Sequence, residues 1–472
     1  MKIKYLGMLL AGSLGMNSCS MVGGIDDIKP YYKMEEDNVV YNLESAESVL
    51  RGVYKSWRAF NVSSFRLYMS ILSGTSASKG GGLTGGQEFV TNSVQANNIA
   101  LVNIYQGSYL TINTANNLIQ LMQRGDAKGA PEQRVREIIA ECKIQRALAH
   151  FQLLRHFGYF FDLSSPYGIV LRNTPFTGTE TSARATVQES YDFILTDLNE
   201  AIANAPQNNE LHYYVTKATA KALKAKVLLH MRNYNEAESL AKEAIDLAEG
   251  NGYRLEESFR SIFVNGYNSP EALFATYTEG AMESASDLIA RTTYSEYTKR
   301  MADILVAGDN DGNLNTGEGY DQRFYLMFNP TLAGAQGNGK HPYSTNGTGK
   351  HNTQMILRLG EIYFIHAEAA VRNGHYDIAR QSFQTMASRV GYPADYVSKI
   401  SNNALLTAIF RHKVLELFAE NGEDWFDFVR YYHEKNMDLN AIKATIKSDT
   451  QLVLPLPQTA LAGNNQLQQN PL

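Results

Sequence analysis

The chain has 472 residues, and its 43 lysines and arginines against 48 aspartates and glutamates give a formal net charge of −5. This balance argues against a nucleic-acid-binding protein, which would normally carry a basic stripe, and two cysteines are too few for a disulfide framework. The hydrophobic share of 44% excludes wholesale disorder.

The N-terminus has the pattern of an export signal. Lys2 and Lys4 form a short positive region, and residues 5–14 form an apolar stretch that is too short to span a bilayer. No later stretch of the sequence reaches about 18 apolar residues, the length expected of a transmembrane helix. We therefore predict that residues 1–18 are a signal peptide.

The cysteine after this stretch indicates how the mature chain is attached. Cys19 directly follows Ser18, as in a bacterial lipobox, and signal peptidase II would cut before Cys19 and leave it to carry the lipid. Asn17 stands where a small apolar residue is commoner, so an ordinary cleavage site beside an unrelated cysteine is the alternative. Residues 19–35 lack periodicity and are predicted to be a tether. An acylated chain of this kind would sit on a membrane rather than span it.

Helical periodicity dominates the remainder of the chain. Apolar residues recur at helical spacing over residues 42–57 and 103–123, and the strongest pattern predicts a helix over Glu132–Phe157. Thr186 and Glu189 have the spacing of a capping box, which predicts the start of a further helix.

Two stretches, at about 61–102 and 251–353, interrupt this periodicity. The first is rich in glycine and serine, and we predict a loop over residues 64–100. The second is rich in glycine, asparagine, threonine and tyrosine, with one predicted short strand at 274–277. Long irregular segments in a compact protein are often functional.

Two helix–turn–helix segments resemble tetratricopeptide repeats. Each turn carries a tyrosine followed three residues later by an alanine, as Tyr234 and Ala237 in one and Tyr376 and Ala379 in the other. Residues 404–432 are predicted to form a third pair. The expected fold is therefore mainly α, with stacked helix pairs as a scaffold, loop-rich insertions and few short strands.

Five segments of the chain carry distinctive motifs: 141–158 (ECKIQRALAHFQLLRHFG), 184–201, 358–369 (RLGEIYFIHAEA), 416–430 (ELFAENGEDWFDFVR) and 454–471. Together they resemble the motifs of the SusD/RagB family of outer-membrane lipoproteins from Bacteroidetes, in family order. Lys143 replaces a usual arginine, Glu423 and Asp424 stand where glycine or arginine is common, and the segment around Arg389 matches loosely. The resemblance implies one SusD-like domain over residues 36–472, with the two irregular stretches as insertions.

The resemblance also implies a function. A protein of this kind would be a non-catalytic lipoprotein on the cell surface, held on the outer membrane by its lipid, that captures an oligosaccharide. It would deliver the sugar to a SusC-like TonB-dependent transporter, for which it acts as a lid. Two alternatives stay open: a peptide- or protein-binding lipoprotein that uses tetratricopeptide-like grooves, and a helical glycosidase using Glu416 with Glu420 or Glu361 with Glu368.

Sugars bind by stacking on aromatic rings, with amide and guanidinium groups at the rim. In the family, ligand-binding residues come from the two insertions, and both insertions of this chain hold such side chains. Each of these residues has an alternative role in the core or in an ordinary loop. The candidate ligand-binding residues are Tyr68, Lys79, Gln87, Phe89, Asn97, Tyr277, Tyr294, Tyr320, Arg323 and Tyr343.

The sequence holds one weak candidate for a metal site and no cofactor motif. Asp309, Asp311 and Asn313 alternate in the manner of a Ca²⁺ loop. However, glycine occupies the fourth rather than the sixth position, and Tyr320 stands where a bidentate glutamate is needed. A solvated loop is the favoured interpretation, with bound Ca²⁺ as the alternative.

Overall fold

The structure of the chain is a computed structural model. It describes residues 39–58, 65–78, 85–177, 180–277, 292–294, 321–328, 339–340, 342–343, 352–439 and 443–471. The predicted signal peptide, the tether and Cys19 lie outside the described residues. The candidate calcium residues Asp309, Asp311 and Asn313 also lie outside them.

The elements follow one another mostly as helices. Those of the first half are α1 (Leu43–Ser56), α2 (Phe65–Ser73), β1 (Ser76–Ser78), α3 (Gly86–Val90), α4 (Ile99–Arg124), α5 (Glu132–Phe157), α6 (Val187–Asn204), α7 (Lys217–His230) and α8 (Tyr234–Gly250). Those of the second half are α9 (Phe259–Asn265), β2 (Ala272–Ala275), β3 (Thr292–Tyr294), α10 (Gln322–Phe328), β4 (Met355–Arg358), α11 (Leu359–Arg372), α12 (Tyr376–Arg389), α13 (Asn402–Glu416), α14 (Glu423–His433) and α15 (Gln458–Gly463). Short 3₁₀ turns occupy Gly266–Asn268, Val397–Lys399 and Asp449–Leu452.

The helices pack mainly on their neighbours in the chain. α5 packs between α4 and α6, α7 pairs with α8, and α11 contacts α8, α12 and α13. This arrangement confirms the prediction of a mainly α fold built on stacked helix pairs. The bounds of α5 coincide with the prediction, and its C-terminal two-thirds is buried on every side, as expected for a helix at the centre of a core.

Local sequence signals account for several helix ends. The Thr186 hydroxyl accepts from the Glu189 N–H at 3.1 Å, and the Glu189 carboxylate accepts from the Thr186 N–H at 2.8 Å. These two bonds form the predicted capping box and satisfy two donors that a helix start leaves without partners. At the start of α14, Gly422 has φ +74°, and a Cβ there would lie 2.7 Å from Met69 Cγ, so both conformation and packing require glycine.

The loop predicted over residues 64–100 is only partly correct. Two helices, α2 and α3, and the strand β1 lie within it. The short run FRLYMSILS forms α2 because burial of Met69, Ile71 and Leu72 in the core outweighs the flanking glycines and serines. The predicted strand near 274 is present as β2, which pairs antiparallel with β4.

The core contains many charged side chains, which join helices. Glu361 contacts Lys226 at 2.6 Å, and Glu368 contacts Arg430 at 2.9 Å. Arg358 contacts three carboxylates from different elements. These contacts join Arg358, at the end of β4, to the segment before β2, to α13 and to the turn after α13.

Cys142 is fully buried on α5, and burial raises the pKa of its thiol. It therefore behaves as a small packing residue rather than a reactive one. Among helices in the described ranges, we find no segment with both the length and the hydropathy of a bilayer span.

Candidate functional site

A cavity of about 500 Å³ opens between the second half of α1, residues 211–214 and the end of β2. We call it the tyrosine-lined cavity. Its walls combine aromatic rings, cationic side chains and small residues, which is the composition of a polar ligand site with stacking surfaces. The lining residues are Ser48, Arg51, Gly52, Tyr54, Lys55, Arg58, Leu211, Tyr213, Tyr214, Ala275, Thr276 and Tyr277.

The tyrosine rings form one continuous cluster. The rings of Tyr54 and Tyr214 are stacked, with centroids 3.6 Å apart and planes 11° apart. Tyr213 lies edge-on to Tyr214 at 5.3 Å and nearly parallel to Tyr277 at 6.5 Å. Tyr267 closes the group, 4.9 Å from Tyr277. A rigid cluster of this kind presents ring faces at a low cost in side-chain entropy.

Buried hydrogen bonds fix the cluster on the scaffold. The Tyr54 hydroxyl donates to the Glu141 carboxylate at 2.5 Å and accepts from the Val215 N–H at 3.2 Å. The Tyr253 hydroxyl donates to the His212 carbonyl at 2.6 Å. The segment that carries Tyr213 and Tyr214 is therefore tied to α5 and to the chain after α8, and the ring positions are preorganised.

Two phenols of this site, Tyr213 and Tyr214, stay neutral at physiological pH. Burial raises the pKa of Tyr213 to about 12, and burial also raises the pKa of Tyr214. A neutral phenol ring is apolar on its faces and keeps its hydroxyl proton. The cluster can therefore stack against a sugar ring and hydrogen-bond to its hydroxyls.

Of the predicted ligand residues, the structure places one at this cavity. Tyr277 lines it, with the Arg58 guanidinium over its ring at 5.4 Å from the centroid. Tyr343 does not line it; its hydroxyl donates to the Val264 carbonyl at 2.6 Å, just before the turn that carries Tyr267. The two residues come from opposite ends of the second predicted insertion.

Four predicted ligand residues lie elsewhere. Phe89 is fully buried, and its ring packs on the buried Tyr68 with centroids 4.7 Å apart. Gln87, within α3, and Asn97, shortly before α4, are exposed but do not line the tyrosine-lined cavity. We therefore assign Phe89 and Tyr68 to the core of the first insertion and leave all four residues out of the candidate site.

Arg323 also requires correction. Its side chain is 0% exposed, contacts Asp321 at 2.8 Å and Glu416 at 3.3 Å, and donates to the His412 carbonyl at 3.0 Å. A guanidinium enclosed in this way has no face toward a ligand, and its role is structural.

Three predicted ligand residues cannot be placed as side chains. Lys79 and Tyr320 lie outside the described residues. Tyr294 is described only through its backbone, which pairs with Ser76 in the two-stranded sheet of β1 and β3. All three stay predictions.

Most of the cavity wall comes from residues that no sequence pattern marks as ligand-binding. Tyr213 and Tyr214 stand between two helices, where no periodicity marks them. Arg51, Lys55 and Arg58 are a more visible signal, since they recur at helical spacing on the side of α1 opposite its apolar stripe.

A second cavity, of about 630 Å³, lies between α8 and the pair α11 and α12. Four carboxylates and one lysine line it, so its walls are acidic. The exposed side chain of Ile378 and the ring of Tyr363 add apolar surface. We call it the helix-pair groove. Its acidic residues are Glu238, Glu243, Asp246 and Glu249.

The carboxylate pairs considered for glycoside hydrolysis are enclosed in the core. Glu416 and Glu420 both contact Arg358, at 2.7 and 2.8 Å, and nearby cations hold the pKa of each below its usual range even though burial opposes this. Glu361 and Glu368 are at most 2% exposed, and their carboxylates form ion pairs with Lys226 and Arg430. None of the four carboxylates faces either cavity.

Comparison with known proteins gives consistent family matches. A SusD-like family model described as "Starch-binding associating with outer membrane" matches residues 27–229, and the SusD family model matches residues 293–472. A SusD-like protein of Bacteroides ovatus is 25% identical over 385 residues, which cover 73% of this chain and 68% of that protein.

Solved structures share the fold. A SusD superfamily protein from Bacteroides thetaiotaomicron has a TM-score of 0.74 at 23% identity, covering 91% of this chain and 100% of the other. A structure titled as a putative sugar binding protein, from Bacteroides vulgatus, has a TM-score of 0.72 at 19% identity, covering 92% and 99% of the two chains.

Proposed function

Because this chain belongs to the SusD/RagB family, we propose that it is a non-catalytic surface protein that captures an oligosaccharide in the tyrosine-lined cavity. Proteins of this family are nutrient-binding proteins of the cell surface that associate with SusC-like transporters. The single observation that carries the proposal is the rigid group of tyrosine rings at an open cavity.

The ring geometry supports a sugar as the ligand. Pyranose rings present apolar CH faces that stack on aromatic rings, while their hydroxyls need donors and acceptors at the rim. Tyr277 and Tyr213 offer nearly parallel ring planes, 15° apart. Arg51, Lys55 and Thr276 supply polar groups around them. Apolar faces with a polar rim suit a saccharide better than a wholly apolar ligand.

Delivery follows from the family assignment. We propose that Cys19 carries a lipid that holds the chain on the outer membrane, and that the chain acts as a lid on a SusC-like TonB-dependent transporter. Sugar binding would favour the closed state of the lid, because the sugar makes contacts in that state that the open state lacks. Catalysis is not part of the proposal, since the carboxylate pairs considered for it are engaged with buried cations.

The helix-pair groove supports a second candidate function. Its acidic walls and the exposed Ile378 suit a basic peptide with an apolar anchor. In that case the chain would be a peptide- or protein-binding lipoprotein of the same fold.

A binding screen separates the two candidates. The purified full chain is titrated calorimetrically with oligosaccharides and with basic peptides. We expect saturable binding to at least one oligosaccharide and none to the peptides, with product analysis after prolonged incubation detecting no cleavage. Binding to peptides alone, lost in an Ile378→Asp variant, would support the second candidate and contradict the first. Any turnover of the sugar would contradict the non-catalytic assignment.

A further inference from the structure

The tyrosine-lined cavity has a one-sided charge. Arg51 and Lys55 stand at i and i+4 on one face of α1, and Arg58 follows in the turn after it; all three line the cavity. Among the described residues that line it, none is an aspartate or a glutamate. The chain as a whole is acidic, at −5, so this positive surface is a local feature.

Two of these cations have no ion-pair partner among the residues that the structure describes. Arg51 and Lys55 are exposed, and neither makes an ion pair with another residue that the structure describes. Glu47, one turn before Arg51, is instead held by Arg134 of α5 at 2.6 Å. Like charges at i and i+4 slightly destabilise a helix. The presence of Arg51 and Lys55 at a cavity wall is therefore better explained by a ligand than by the stability of α1.

The tyrosine rings and the cations would contact different parts of one ligand. The Arg58 guanidinium lies 5.4 Å from the centre of the Tyr277 ring, which orients this charge beside the stacking surface. A sugar stacked on Tyr277 would direct its substituents toward α1. Carboxylate and sulfate groups form charge-assisted hydrogen bonds with guanidinium and ammonium groups, roughly twice as strong as neutral ones.

We propose that the tyrosine-lined cavity selects oligosaccharides that carry carboxylate or sulfate groups. This inference rests on the proposed function, because it specifies the ligand class of the same site. The adjoining surface beyond Arg51 includes Glu47, Glu137 and Glu210. The anionic substituent is therefore expected toward Lys55, on the side away from those carboxylates.

The test combines a ligand series with charge variants. The full chain is screened against neutral, carboxylated and sulfated oligosaccharides, and the best binder is titrated at about 20 mM and about 500 mM salt. The variant R51Q/K55Q removes the two exposed cations without touching the core. The control R136Q/K399Q removes the same charge from exposed positions outside the cavity, where each cation pairs with an acid on its own segment.

We expect the best binder to be anionic, R51Q/K55Q to weaken it about tenfold at low salt, and the loss to shrink at high salt. Methyl esterification or desulfation of the same sugar should remove the difference between the variant and the wild type, and so identify which group is recognised. Two results would overturn the inference. One is that the best binder is a neutral sugar whose binding is lost on substitution of Tyr277, and the other is unchanged affinity in R51Q/K55Q. Either result would leave the proposed function standing. Failure to bind any sugar would reject both.

Discussion

Replacement of Arg358 by methionine is expected to lower the free energy of unfolding by about 3–5 kcal/mol. Arg358 is 1% exposed and contacts Glu271, Glu416 and Glu420 at 2.7–2.8 Å. Without its guanidinium, three buried carboxylates share fewer cations, and each loses a charge-assisted hydrogen bond that water cannot replace. Removing one partner of a buried ion pair costs more than the pair contributes, because it leaves an uncompensated charge in the core.

The position of Arg358 in the backbone increases the effect. Arg358 ends β4 and directly precedes α11, and its guanidinium also donates to the Glu416 carbonyl at 2.8 Å. The turn after Glu416 contains Ala419 at φ +55°, an unfavourable conformation for alanine. Contacts from Arg358 and Lys340 hold this turn in place. The substitution therefore weakens the connection between α13 and α14 as well as the ion pairs.

Urea unfolding followed by circular dichroism measures this effect. The matched control is Lys399→Gln, which breaks an exposed pair with Asp395 and should change the free energy of unfolding by less than about 0.5 kcal/mol. Equal stabilities of the Arg358 variant and the control would show that this network is not needed for the fold.

Replacement of Tyr277 by alanine is expected to weaken oligosaccharide binding by about thirtyfold, or about 2 kcal/mol. Tyr277 joins the ring cluster to the open cavity, touching Tyr213, Tyr267 and Arg58. Its removal takes away one stacking face and leaves Arg58 without its aromatic support. Because Tyr277 is half-buried and follows β2 rather than lying within it, the fold should survive the change.

Two variants make this prediction specific. Tyr277→Phe keeps the ring and should bind within about threefold of the wild type, since stacking outweighs one hydroxyl. Ile378→Asp alters the helix-pair groove and should leave sugar affinity unchanged. Calorimetric titration of the three variants provides the comparison. If Tyr277→Ala bound sugar as tightly as the wild type while Ile378→Asp did not, the ligand site would have to be reassigned to the groove.

The scaffold was predictable because its signals are local. The helix over Glu132–Phe157 follows from apolar spacing within one segment, and the turns at Tyr234 and Tyr376 repeat the same residue pattern. By contrast, α2 was missed because a nine-residue apolar run among glycines and serines gives no periodic signal long enough to recognise. Its helix depends on tertiary burial.

The candidate site was less predictable because distant segments build it. α1, residues 211–214 and Tyr277 are far apart in the sequence and meet only in the folded chain. Tyr277 was identified by residue type within an irregular segment, whereas Tyr213 and Tyr214 stand in a short connection with no distinguishing pattern. The same limit explains why Arg323 is wrongly predicted to bind ligand. In the sequence it stands beside loop tyrosines, a composition typical of a ligand site. Its carboxylate and carbonyl partners, however, lie on another element that is distant in the sequence.

A crystal structure of the full chain with its tightest-binding oligosaccharide tests the central claim most directly. We predict a sugar ring stacked on Tyr277 within the tyrosine-lined cavity, with its polar groups directed toward Arg51 and Lys55. Sugar bound in the helix-pair groove, or at another surface with the tyrosine cluster unoccupied, would contradict the account.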